Sequence, residues 1–245
     1  MSGVRFTYIT PRIVQVPLPG SSVFLLLDER VTLIDAGFPG SARRILTALR
    51  AAGRSADEVE QILITHYHPD HLGGLAGLLE HVPARVGVHA GEAPVVCGSA
   101  PMPAPLRNIW LAARLAPAMR WVRCCPVDTV LHDGDELPVL GGLRIVHTPG
   151  HTPGHIALHL PEHGVLIAGD ALQRRARALI PPARLVTADW AEALRSIEKL
   201  AALDFETLAL SHFPPLRGRA CEAVRRLSRN RRDPATLDAA RSRAR

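Results

Sequence analysis

The chain has 245 residues, of which 47% are hydrophobic and 21% charged, with a formal net charge of +6. That balance fits an ordinary globular protein with ample chain for a core. It excludes a membrane-spanning design, because no apolar run approaches the roughly 20 residues needed to cross a bilayer. Residues 1–10 lack the charged-then-apolar order of a signal peptide, so the expected location is cytoplasmic, with no membrane partner. Cys97, Cys124, Cys125 and Cys221 form no CxxC pair and are expected to be free thiols. The charge is unevenly placed. Residues 217–245 hold ten arginines against three acids, leaving residues 1–216 at −1. The basic tail is therefore read as a solvated Arg-rich helix and terminus, and nucleic acid is not the expected partner.

In chain order, residues 12–16, 23–28 and 31–35 read as short strands broken by Pro, Gly and charged residues. Residues 42–52 form a helix with Ile45 and Leu49 on one face, ended by Gly53. Ser55 and Glu58 have the spacing of a capping box. Residues 61–65 make an apolar strand that runs into a cluster of histidines. Residues 72–82 read as a helix and 85–89 as a strand. Residues 92–122 differ, mixing five prolines with exposed-looking apolar side chains, and suggest an irregular insertion. Met102, Trp110 and Met119 there are candidates for a lid or substrate wall, the alternative being simple packing onto the body. Strands resume at 130–132, 143–147, 155–160 and 165–168. A helix at 190–203 and a strand at 207–210 follow, ending at Ser211 and His212. The reading is one α+β catalytic domain, residues 1–216, followed by the Arg-rich helix and tail, 217–245. Two runs of strands, each closed by a helix, imply two packed sheets with helices outside.

The chemistry concentrates at Thr65-His66-Tyr67-His68-Pro69-Asp70-His71. His66 and His68 alternate with Tyr67 directly after an apolar strand, so both imidazoles can face one side. Asp70 and His71 follow where a helix would open. Imidazole and carboxylate suit zinc, and also iron or manganese. Further ligand types stand where other strands end: His151 and His155 in Thr148-Pro149-Gly150-His151-Thr152-Pro153-Gly154-His155, then Asp170 after Gly169, then His212. Strand ends would bring them to one edge of a sandwich.

The series HxHxDH, TPGHTPGH, GD and a late strand-terminal histidine resembles the metallo-β-lactamase superfamily, in its glyoxalase II-like branch. The resemblance runs from about Ser22 to His212. It implies a four-layer αββα sandwich with the site at one edge of the two sheets. It also implies one metal held by His66, His68 and His151, a second by Asp70, His71 and His212, and Asp170 between them. His155 matches a position that supports the site, and Asp35 resembles an aspartate that orients a ligand imidazole; turn capping is the other reading of Asp35. Two divalent ions, zinc by default, would supply a bridging hydroxide at neutral pH, with Asp70 orienting it or handling its proton. The expected substrate is a small ester, thioester or lactone. Against glyoxalase II itself, only 33 residues follow His212. The alternatives are a persulfide dioxygenase-like enzyme with a single iron, and a phosphodiesterase or nucleic-acid-processing hydrolase.

Overall fold

The computed structural model describes residues 5–103, 121–176 and 178–230. Its first sheet takes the strands in chain order: β1 (Thr7–Thr10), β2 (Ile13–Pro17), β3 (Ser22–Leu27), β4 (Val31–Ile34), β5 (Val59–Ile64), β6 (Arg85–His89) and β7 (Thr129–Leu131). The second sheet runs β15 (Phe213–Leu216), β14 (Thr207–Leu210), β11 (Val165–Ile167), β10 (Ile156–Leu160), β9 (Leu143–His147) and β8 (Glu136–Leu137). A separate hairpin joins β12 (Gln173–Arg175) to β13 (Ala178–Ile180). The described α-helices are α1 (Ala42–Ala51), α2 (Pro69–Leu72), α3 (Leu75–Leu79), α4 (Ala93–Val96), α5 (Trp190–Ala201) and α6 (Ala220–Asn230). None of them is long and apolar enough to cross a membrane.

Side-chain alternation along the strands builds the layers. Val14, Val16, Leu25 and Leu33 join Ile45, Leu49, Leu75 and Leu78, so one face of the first sheet lies under α1 and α3. Phe24, Leu26, Ile34 and Leu63 point the other way and meet Ile145, Ile156, Leu158 and Ile167 of the second sheet. The outer face of that sheet, with Val146, Leu166, Leu208 and Leu210, packs on Ile197 and Leu200 of α5 and on Ala220 and Val224 of α6. Three buried layers separating four tiers of structure make the αββα sandwich that the sequence implies.

Strand direction sets the site. β4, β5, β6 and β7 are mutually parallel, so their C-terminal ends fall along one edge of the first sheet. β11 and β14 are parallel in the second sheet. The two edges meet where the Ile156 N–H donates to the Thr65 carbonyl at 3.0 Å.

Several elements depart from the sequence reading. The helix expected over residues 72–82 is split, because the chain turns at Gly73 and Gly74, and the Gly74 N–H donates to the Gly37 carbonyl at 2.7 Å. β15 contains Pro214 and Pro215, which argue against a strand in a sheet interior; as the terminal strand it keeps one edge unpaired and tolerates them. The β12–β13 hairpin, which carries Arg174 and Arg175, was not anticipated. Within the insertion, α4 lies in residues 92–103, and Met102 packs against the first-sheet core. Trp110 and Met119 lie outside the described residues.

Gly150 closes the turn before His151 with φ +119°, and a Cβ there would stand 2.1 Å from the Ala193 amide nitrogen of α5. Gly150→Ala is expected to cost at least about 2 kcal/mol, from backbone strain and displacement of the helix. A thermal melt of the metal-free protein should show a fall of about 4–8 °C. An unchanged melting temperature would show that the turn can relax.

Candidate metal centre

β5 delivers the first ligand types. Thr65 and His66 continue the strand end. His68, extended at the N-cap of α2, is followed by Pro69 at the first helical position, which leaves Asp70 and His71 on the opening turn. His151 comes from the turn between β9 and β10, Asp170 from the end of β11, and His212 from the β14–β15 turn. All seven predicted ligand residues converge at the shared edge. Their candidate ligand atoms fall into three overlapping groups, each within 4.8 Å: His66, His68 and His151; His66, His71 and Asp170; Asp70, His71 and His212.

Hydrogen bonds assign the tautomers. The Thr65 hydroxyl donates to Asp35 at 2.9 Å and stands 3.0 Å from His66 Nδ1, so it accepts the His66 Nδ1–H. Asp35 Oδ2 accepts the His71 Nδ1–H at 2.7 Å. Thr187 donates to the Ala183 carbonyl at 2.9 Å and lies 3.4 Å from His151 Nδ1. The Gly20 carbonyl accepts the His212 Nδ1–H at 2.6 Å. The Nδ1 side of four imidazoles is thus engaged and their Nε2 turns to the centre, whereas His68 presents Nδ1.

His68 Nδ1 lies 3.1 Å from His66 Nε2 and 3.0 Å from His151 Nε2. Three nitrogens face one another in a buried pocket, and the single proton that His68 could place on Nδ1 cannot serve both contacts fully. That arrangement suits a cation and fits Zn–N bonds of about 2.0–2.1 Å. Among the described residues, His71 Nε2 and Asp170 Oδ1 are also buried polar atoms with no hydrogen-bond partner. Such orphans are costly unless something binds there. The donor set fits a metal centre.

Asp170 stands between the two groups. Its Oδ2 is 3.6 Å from His151 Nε2 and 2.9 Å from His212 Nε2, and its Oδ1 is 3.5 Å from His71 Nε2. Asp70 Oδ2 lies 3.6 Å from His71 Nε2 and 3.7 Å from His212 Nε2, on the more exposed side. Burial lowers the proton affinity of His66 and His151 well below the ordinary value and brings His68 to about 4. Burial opposes protonation of His71 as well, but Asp70, Asp35 and Asp170 hold its pKa up at about 10. The two halves thus differ: a neutral imidazole trio on one side, an acid-rich pair of histidines on the other.

The two predicted supporting residues lie beside this cluster. Asp35, fully buried at φ +64°, accepts from the Thr65 N–H at 2.8 Å, from the Thr65 hydroxyl and from His71. It therefore both holds the turn after β4 and fixes a ligand ring. His155 Nε2 accepts the Asp170 N–H at 3.0 Å, and its Nδ1–H donates to the Thr148 hydroxyl at 2.7 Å. Met102 instead lines a cavity of about 230 Å³ with Leu72, Val95 and Cys124. Sequence reasoning missed Thr65, Thr148 and Thr187, which orient histidines through hydroxyls, and it missed Glu92. The signal for the first two was adjacency to the motifs; Thr187 and Glu92 gave none.

A family model described as the metallo-beta-lactamase superfamily matches residues 16–212, and the chain belongs to that superfamily. A probable metallo-hydrolase, YflN of Bacillus subtilis, is 34% identical over 203 residues, covering 76% of each chain. A hydroxyacylglutathione hydrolase of Aeromonas salmonicida is 34% identical over 69% of this chain, which spans only 52% of that relative's length. Among solved structures, a metallo-beta-lactamase family protein of Thermus thermophilus superposes with a TM-score of 0.73 at 29% identity, over 91% of this chain and 80% of that one.

Proposed function

We propose that this chain, a metal-dependent hydrolase by its family, uses two divalent metals to cleave a small ester, thioester or lactone. The observation that carries the two-metal reading is the Asp170 carboxylate, placed between the His66–His68–His151 trio and the Asp70–His71–His212 set. His66, His68 and His151 would hold one metal, Asp70, His71 and His212 the other, with Asp170 shared. Zinc is the metal this imidazole–carboxylate set suits first. Such a pair, when bound, supplies hydroxide at neutral pH and positive charge against a developing oxyanion. The protein's part is orientation: Thr65, Asp35, Thr187 and Gly20 each hold one imidazole in the ligating tautomer. Asp70, the accessible carboxylate of the set, is placed to take a proton from the attacking water and pass it to the leaving oxygen or sulfur.

The substrate class rests on the resemblance to the hydroxyacylglutathione hydrolases, of whose length the chain spans about half. Metal analysis of the purified protein, coupled to a panel of thioesters, lactones, phosphodiesters and a β-lactam, tests it. Two metals per chain with thioester, ester or lactone turnover is the expected result. One iron per chain with oxygen-dependent sulfite formation from a persulfide would overturn it, as would selective phosphodiester cleavage.

A further inference from the structure

Glu92 lies at the start of α4, outside the ligand set, yet its side chain is fully buried. Oε2 accepts the backbone N–H of Tyr67 at 2.7 Å. Oε1 accepts the Thr152 hydroxyl at 2.7 Å and the Gly154 N–H at 2.6 Å. Tyr67 is the residue between His66 and His68; Thr152 follows His151. One carboxylate therefore joins the two chain segments that supply the imidazole trio. These segments come from different sheets, joined at the backbone by the Ile156 N–H to Thr65 carbonyl bond and, nearer the imidazoles, by this carboxylate.

The surroundings are built for this contact. A Cβ on Gly154 would stand 2.7 Å from the Glu92 backbone nitrogen, so the two backbones approach to a distance that only glycine permits. The same junction is closed by the stacked rings of His89 and His147, 3.9 Å apart. His147 Nε2–H donates to the Pro153 carbonyl at 2.9 Å, and His89 Nδ1 accepts the Gly91 N–H at 3.1 Å. Burial pushes the Glu92 carboxyl up to about 7 against the pull of its three donors. A carboxylate at this depth carries a desolvation cost, offset by the three buried donors it satisfies, all of them on the two segments that bear the imidazole trio.

We infer that Glu92 is a positioning residue for the candidate metal centre: it sets the distance between His151 and the His66–His68 pair, and so the 3.0 Å spacing of His151 Nε2 from His68 Nδ1. This rests on the metal-centre reading above. Gln is the informative substitution, because it keeps the shape but offers one acceptor oxygen and an amide that faces a donor. Either Tyr67 or the Thr152–Gly154 pair loses its partner.

The test is Zn²⁺ titration of the metal-free protein against a competing chelator, wild type beside Glu92→Gln, with the Nδ1–H signals of His66, His71, His151 and His212 followed by NMR. Loss of a partner that orients metal ligands costs about 10–100-fold in affinity. That loss is expected at one of the two metals, with the His66 and His151 signals shifted and those of His71 and His212 retained. Leu200→Ala, a buried change beneath the second sheet, serves as a control of comparable instability and should keep both affinities. Equal affinities and unshifted His66 and His151 signals in Glu92→Gln would overturn the inference. So would a loss in Leu200→Ala of the same size, which would make the effect one of stability alone. A wild-type chain that takes up no Zn²⁺, Fe²⁺ or Mn²⁺ would instead sink the metal reading itself.

Discussion

Asp170→Ala is expected to bring metal content from two toward one per chain and to lower turnover by at least about 100-fold, the upper end of what loss of a supporting contact costs at a metal site. Three observations set the size of that effect. Asp170 is the one carboxylate, among the described residues, within 3.6 Å of ligand nitrogens from both groups, His151 on one side and His71 and His212 on the other. Its carboxyl is held well below the usual range despite burial, because His71 and His212 favour the charged form. Its backbone is also pinned, since its N–H donates to His155 Nε2. Alanine keeps that backbone contact and removes only the charge between the groups, so the variant isolates the shared ligand. Metal quantification after dialysis and steady-state rates on the best substrate of the panel check it. Two metals per chain and an unchanged rate would show that the groups do not depend on a shared carboxylate.

The second large effect is expected at Asp35. Replacement by alanine leaves the Thr65 N–H, the Thr65 hydroxyl and the His71 Nδ1–H without their acceptor, all fully buried. Each unsatisfied buried group costs about 1–3 kcal/mol, and alanine at a left-handed φ adds about 1–2 kcal/mol. A loss of more than about 3 kcal/mol in the metal-free protein follows, together with about 10–100-fold weaker metal binding through a His71 ring free to turn. Asp35→Asn should fall between, because asparagine accepts the backbone conformation and keeps one acceptor oxygen. Chemical denaturation and metal competition on the same samples measure both. A stability change under about 1 kcal/mol in Asp35→Ala would remove this account.

The candidate ligand set was legible in the sequence because metal chemistry narrows residue type and strand ends narrow position. His66, His68, Asp70, His71, His151, Asp170 and His212 follow apolar strands, and each lies at the shared edge. The layers were legible too, since nearly continuous apolar strands such as residues 22–27 must be covered on both faces. What orients the ligands was not legible. A threonine hydroxyl or a lone glutamate has no spacing of its own, and Thr187 and Glu92 reach the site only after the chain has folded from elsewhere. Asp35 could be singled out only through resemblance, and the structure shows that its turn-holding and ring-orienting readings hold together. β15 was hidden by its prolines, and the β12–β13 pair by its arginines.

Those prolines have one more consequence. Pro214 and Pro215 sit in the outermost strand of the second sheet, next to the turn that carries His212. Neither has an amide hydrogen, and because successive strand residues face opposite sides, this border lacks a donor that an approaching strand would need. A neighbouring chain cannot extend the sheet there without leaving a carbonyl of its own unanswered. Among the described residues, this flank beside the candidate centre is therefore a poor template for strand addition.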